Sequence, residues 1–176
     1  MLRGINAGGK NKVPMAELRS LCQRLGWSGV ETYIQSGNVV FEASGSGLEL
    51  EAMLEAGILK VFGLSIPVIV RGAEDWPAYV EANPFPDAAE SEPNRLMLCL
   101  SKHPPLKDAA DRLEERAQDA ERLRLTGDAL WVYYSGGAGA SKLSPALMDR
   151  LVGSPVTARN WRSVLKIEEM LKNEGA

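Results

Sequence analysis

The hydrophobic pattern of this chain alternates between strand and helix periods in one order, and then repeats that order. In the first half, a short run at residues 1–5 reads as a truncated edge strand. Met15, Leu18, Leu21, Cys22 and Leu25 follow at helical spacing, with Pro14 in the first turn and Gly26 at the end. Residues 30–35 and 39–42 are strand-like across Ser36-Gly37-Asn38, a turn of hairpin chemistry. A helix over 48–62, a buried strand over 65–71 and a short helix over 74–82 complete that half. The second half runs strand (95–101), helix (106–117), hairpin (122–125 with 129–134), helix (145–151) and strand (156–160). A last helix to about 172, capped by Ser163, trails it. Ser144-Pro145 is a strong helix start, with serine at N-cap and proline at N1. Each half thus reads βαββαβ plus a trailing helix. The predicted fold is α+β, a tandem duplication of ferredoxin-like units. The acidic stretch 87–93 is predicted to link a first half, 1–86, to a second, 94–176, as two small domains or one compact one.

Composition narrows the function classes. The chain has 176 residues, 45% of them hydrophobic and 24% charged, the balance of a globular protein. No apolar run approaches the ~20 residues of a membrane span. Cys22 and Cys99 sit in apolar patterns and read as buried free thiols of a reducing cytoplasm. The net charge of −3 argues against a general nucleic-acid binder. The charge is unevenly placed, however. Residues 1–41 carry five Lys/Arg against two Asp/Glu, and residues 142–166 carry five against one, while 42–141 carry nine against seventeen. The two basic segments are also glycine-rich. If the fold joins them, they form one positive site on an acidic body.

The stretch Arg3-Gly-Ile-Asn-Ala-Gly-Gly-Lys-Asn-Lys-Val-Pro-Met15 is the densest of these signals. Gly4-x-x-x-x-Gly9-Lys10 has the spacing of a phosphate-binding P-loop. Asn11 stands where that loop needs a magnesium-binding hydroxyl, and the helix starts late, so magnesium-dependent nucleotide hydrolysis is not expected. Two readings remain: an anion nest, with Gly8 and Gly9 supplying backbone N–H groups beside Lys10 and Lys12, or a structural glycine loop. A second glycine-rich loop, 135–142, ends in Lys142 before a capped helix, although flexible connectors look the same.

Gln35 and Asn38 bring amides that could orient a ligand, or could serve only the turn. Thr157-Ala-Arg-Asn-Trp-Arg162 sets Arg159 and Arg162 around Asn160 and Trp161. Arginine forks suit phosphate and carboxylate; the alternative is a core Trp161 flanked by solvated arginines. His103 stands alone before Pro104-Pro105, without the spacing of a metal site, and no metal is expected.

The segments 3–15, Thr-Tyr-Ile-Gln-Ser-Gly-Asn-Val-Val-Phe (32–41), Ser-Lys-Leu (141–143) and Thr-Ala-Arg-Asn-Trp-Arg-Ser-Val (157–164) together closely resemble the bacterial domain-of-unknown-function family 1697. The resemblance spans nearly the whole chain. It implies a tandem ferredoxin-like α+β fold and supplies no mechanism, cofactor or reaction. Members of that family carry several residues before Leu-Arg-Gly-Ile-Asn, so the first strand is expected to be shortened here.

The leading functional expectation is binding of a small anionic ligand, phosphate- or nucleotide-bearing, in a basic cleft between the halves. Its residues would be Arg3, Asn6, Gly8, Gly9, Lys10, Lys12, Gln35, Asn38, Lys142, Arg159, Asn160 and Arg162. Lys10 and Arg159 in particular read as surface cations on which packing makes little demand. An enzyme using the same cleft, with Lys10 or Lys142 as acid/base or electrostatic stabiliser, is the first alternative. A nucleic-acid module is the second. It lacks an aromatic strand pattern, because Tyr133 and Tyr134 adjoin and point to opposite faces. Oligomeric state is left open.

Overall fold

The computed structural model describes residues 1–118 and 121–174. It is an α+β structure that divides into two units, Met1–Glu74 with Ile167–Ala176, and Asp75–Lys166. The division expected at 87–93 lies inside the second unit.

In the first unit, α1 (Met15–Arg24) buries Met15, Leu18, Leu21 and Cys22. Pro14 is the N-cap rather than the first helical residue, with an extended ψ of 134°. Strands β1 (Ser28–Tyr33) and β2 (Asn38–Glu42) form an antiparallel hairpin, and Trp27 stacks on Phe41 with ring centroids 4.1 Å apart. Helix α2 (Gly47–Phe62) opens on a full capping box. The Ser46 side chain accepts from the Glu49 amide, and the Glu49 carboxylate accepts from the Ser46 amide. It closes at Gly63 in the left-handed conformation. Within α2, a β-carbon at Gly57 would lie 3.0 Å from Leu21 Cδ1, so the bare glycine lets α1 and α2 approach.

The two outer strands expected in this half are not strands. Residues 1–5 and 65–71 share one antiparallel bridge, Leu2 with Val68. The Leu2 amide donates to the Gly37 carbonyl (2.9 Å), the Arg3 amide to Pro67 (3.1 Å) and the Ile69 amide to Met1 (2.9 Å). Residues 1–3 therefore lie between the hairpin and 67–69. Beyond them, α2 supplies the partners a further strand would have given. The Val68 N–H donates to Glu55 (2.9 Å) and the Val70 N–H to Glu51 (3.0 Å). Pro67, with no N–H, interrupts any longer ladder. Leu2, Leu18, Leu54, Ile58 and Val68 form the centre of this unit's core.

A 3-10 turn at Ala73–Asp75 spans the division and leads into α3 (Trp76–Glu81) of the second unit, and α4 follows (Pro86–Ser91). Most of the stretch expected to be a linker is thus helix, because Pro86 stands in its first turn with φ preset. The remaining elements are β3 (Leu96–Ser101), α5 (Ala109–Glu114), β4 (Glu121–Thr126), β5 (Ala129–Tyr134), a 3-10 turn at Ala138–Ala140, α6 (Pro145–Val152) and β6 (Val156–Asn160); α7 (Trp161–Glu174) begins in this unit and ends in the first. The strands form one sheet in the order β4-β5-β3-β6, every neighbouring pair antiparallel. Helix α5 is shorter than expected, and its first turn is entered only after Pro104-Pro105. Ser144 caps α6 through the Leu147 amide (3.2 Å). On one side of the sheet, Cys99, Leu123, Leu130 and Val132 meet Leu113, Met148 and Leu151 in this unit's core.

Candidate functional site

The loop 3–13 folds as a small hairpin, not as a phosphate-wrapping loop. The Asn6 amide donates to the Asn11 carbonyl and the Lys10 amide to the Ala7 carbonyl, both at 3.0 Å. Gly8 and Gly9 are the two central turn residues, with φ of 57° and 76°. Positive φ at both positions marks a type I′ turn, which glycine adopts without strain. Asn6 and Asn11 also have positive φ, 53° and 49°, and each is held by its own side chain. The Asn6 amide group donates to the Val13 (2.9 Å) and Gln35 (2.8 Å) carbonyls, and its oxygen accepts from the Val13 amide (2.9 Å). Asn11 donates to the Gly4 carbonyl (2.9 Å). Lys10 and Lys12 stand exposed on this hairpin, and Arg3 beside it is half-buried.

Asn6 fastens this loop to the turn between β1 and β2. Gly37 tightens the junction, since a β-carbon there would lie 2.8 Å from both Leu2 Cβ and Ile5 Cδ1. Asn38 is 1% exposed, and its amide donates to the Tyr33 carbonyl (3.1 Å) and Ser36 Oγ (3.2 Å). Its side chain closes the turn from within. Gln35 is exposed. Ile34 is 48% exposed with φ of 50°, a conformation that β-branched residues rarely adopt. Backbone strain at an exposed loop tip is a feature that clusters at ligand sites. So Arg3, Asn6, Gly8, Gly9, Lys10, Lys12, Gln35 and Asn38 belong to one pair of fastened loops in the first unit.

Lys142, Arg159, Asn160 and Arg162 belong to the second unit. Lys142 and Arg162 are exposed. Arg159 is not the surface cation expected: it is 6% exposed, in β6, donating to Thr157 Oγ1 (2.7 Å) and the Ala158 carbonyl (2.8 Å). Burial lowers its pKa to about 10, with Cys99 acting in the opposite sense. Asn160 is the N-cap of α7, accepting from the Ser163 amide at 2.9 Å, the role expected of Ser163. Trp161 is half-buried against Trp131, centroids 5.8 Å apart.

Three features escape the sequence pattern. One is the pair Glu51 and Glu55, whose i, i+4 spacing beside the apolar stripe of α2 is the signal that could have pointed to backbone acceptors. Another is Glu121, 2% exposed, which accepts from the Gln118 amide (3.2 Å) and the Ser141 hydroxyl and so pins the second glycine-rich loop. The third is Ile34, whose left-handed backbone no residue-type rule would assign. His103 is exposed in its loop. Among the described residues, no three His, Cys, Asp or Glu side chains group to hold a metal ion. No described helix is long and apolar enough to cross a membrane. Cys22 and Cys99 are free and buried.

A two-unit α+β architecture with the fastened loop pair is what this chain presents for comparison. A family described as "Protein of unknown function (DUF1697)" matches residues 1–131, which include that loop pair, and the chain belongs to this family. Among solved structures it is similar to the conserved bacterial protein SP0830 from Streptococcus pneumoniae. Identity is 29% and the TM-score 0.71, over 97% of this chain and 96% of that one. No curated protein matches the chain.

Proposed function

We propose that the protein binds a small anionic ligand, phosphate- or nucleotide-bearing, at the fastened loop pair of the first unit. The observation that carries this reading is the Asn6 side chain. Its three hydrogen bonds hold the hairpin bearing Lys10 and Lys12 against the turn bearing Gln35. A binding loop whose backbone is already ordered loses less entropy on capturing a ligand. Two cations on such a loop supply charge, and the exposed Gln35 amide supplies a donor and an acceptor. We also infer that both units follow one ferredoxin-like βαββαβ plan. The second unit's strand order supports this, as does the position of residues 1–3 between the first unit's hairpin and 67–69.

The test is a titration of the whole protein with inorganic phosphate, a nucleoside triphosphate and a short single-stranded RNA. Saturable binding of phosphate or nucleotide is expected. Lys10→Ala/Lys12→Ala should weaken it about tenfold to a hundredfold, the loss of charge-assisted contacts. The melting temperature should stay unchanged, since both side chains are exposed. Lys142→Ala/Arg162→Ala in the same titration decides whether the second unit's exposed cations serve that ligand. Binding only to RNA, falling steeply with salt, would instead favour a nucleic-acid partner.

A further inference from the structure

Helix α2 turns an unusual face to solvent. Leu48 is 61% exposed and Leu59 55%, with Met53 beside them at 40%. Leu48, Ala52, Ala56 and Leu59 recur at i, i+4, i+8 and i+11, so they form one stripe along the helix, and both alanines are exposed. The helix already buries its opposite side, Leu50, Leu54 and Ile58, in the first unit's core. Two leucine positions with alanines between them form an apolar seam whose middle is low enough for a second helix to approach closely.

The charges beside the stripe are arranged with the same period. Glu49 and Lys60 are 11 residues apart, as are Leu48 and Leu59, so they occupy one flank at opposite ends of α2. The Glu49 carboxylate is oriented by the Ser46 amide (2.7 Å) and hydroxyl (2.8 Å). A two-fold axis perpendicular to a helix reverses its direction and keeps the same flank opposite its copy. Under that operation Leu48 faces Leu59 of the second copy, Ala52 faces Ala56, and Glu49 faces Lys60, each pair occurring twice. A parallel arrangement would lose this match of charges.

From this self-complementary pattern we propose that α2 is the contact surface of a two-fold homodimer, pairing antiparallel with α2 of a second copy of this chain. The helix pair is held by the leucine–alanine seam, and the Glu49–Lys60 contacts set its direction. Charge complementarity of this kind fixes register and orientation more than it raises affinity, so the association is concentration-dependent and salt-sensitive.

Sedimentation equilibrium of the full chain at low ionic strength tests it, with circular dichroism to confirm that each variant folds. The wild-type protein is expected to self-associate reversibly to a dimer. Lys60→Glu places Glu49 against a like charge twice and should weaken the dimer about tenfold or more. The exchange Glu49→Lys/Lys60→Glu should restore it. Leu59→Ser, which leaves the Ser46 cap untouched, should weaken it without charge change, so the test does not depend on the Glu49 variant folding. A chain that stays monomeric at millimolar concentration overturns the proposal. So does a dimer indifferent to both Lys60→Glu and Leu59→Ser, and so does a folded double exchange that fails to recover association.

Discussion

The two units start from the same order of sequence patterns and reach different degrees of sheet. In the second, all four strands pair in a continuous antiparallel ladder. In the first, only the central hairpin is a ladder; the two outer segments share a single bridge, and α2 carboxylates satisfy two of their amides. Every buried amide must find an acceptor, but the acceptor need not be another strand. A sheet edge closed by side chains holds the same path with fewer cooperative bonds. The less regular unit is also the one with the fastened loop pair.

The largest expected effects probe two buried tryptophans, Trp131 within β5 and Trp27 just before β1. Trp131 is fully buried in β5 and its indole N–H donates to Thr126 Oγ1 (3.0 Å). Trp131→Ala should cost about 3–5 kcal/mol in chemical denaturation. Trp27 is also buried, at 5% exposure, but no acceptor reaches its indole N–H among the described residues. Phenylalanine should therefore be tolerated better at 27 than at 131, because only the second exchange orphans a hydroxyl. Equal losses at the two sites would mean that the difference in hydrogen bonding is energetically silent.

The hairpin turns give the next contrast. Both Gly37 and Gly127 have positive φ, 82° and 60°. Gly127→Ala meets open space and should cost about 1 kcal/mol, the backbone penalty alone. Gly37→Ala adds a collision with Leu2 and should cost more than about 2 kcal/mol. Thermal melts of the two variants rank them, and the reverse order would contradict the close junction between residues 2–5 and the turn.

A moderate effect isolates the carboxylate edge. Glu51→Ala leaves the Val70 N–H without the acceptor it has in the native unit and should cost about 1–3 kcal/mol. Hydrogen exchange should quicken at Val70 and stay unchanged in β3 and β5. Uniform quickening across both units would show that they open together.

The last effect is alkaline, and it is small until the pH rises well above the ordinary thiol value. Burial raises the Cys22 thiol from its ordinary 9.0 to about 11 and the Cys99 thiol to about 12. A raised folded-state pKa contributes stability that is complete below pH 9.0 and is lost as pH climbs toward the folded value. Both units should therefore weaken above that pH, the Cys99 contribution fading over the wider range. Cys22→Ala and Cys99→Ala should each flatten the alkaline limb of the melting profile.

Much of this architecture is legible in the residues. Ser144-Pro145 announces α6 because its capping chemistry is local. The second hairpin is announced by Thr126-Gly127-Asp128, which joins an alternating segment to the apolar run 129–134. The site was harder to read. A loop dense in glycine, asparagine and lysine marks a place where backbone is exposed, but the residue types do not say where each amide points. Asn6, Asn38 and Asn160 were candidates for touching a ligand, and each has hydrogen bonds inside the protein. Arg159 read as surface because arginine is usually solvated; its place in β6 buries it.

The sequence by itself determined the start of α6 and the position of both hairpins, because caps, turns and hydrophobic period act within a few residues. Only the tertiary structure decided which cations stay exposed, which asparagines are spent on backbone, and that glutamates 13 and 19 residues away take the amides of Val68 and Val70. Those outcomes depend on which groups compete for each donor once the chain is packed, and that competition has no local signature.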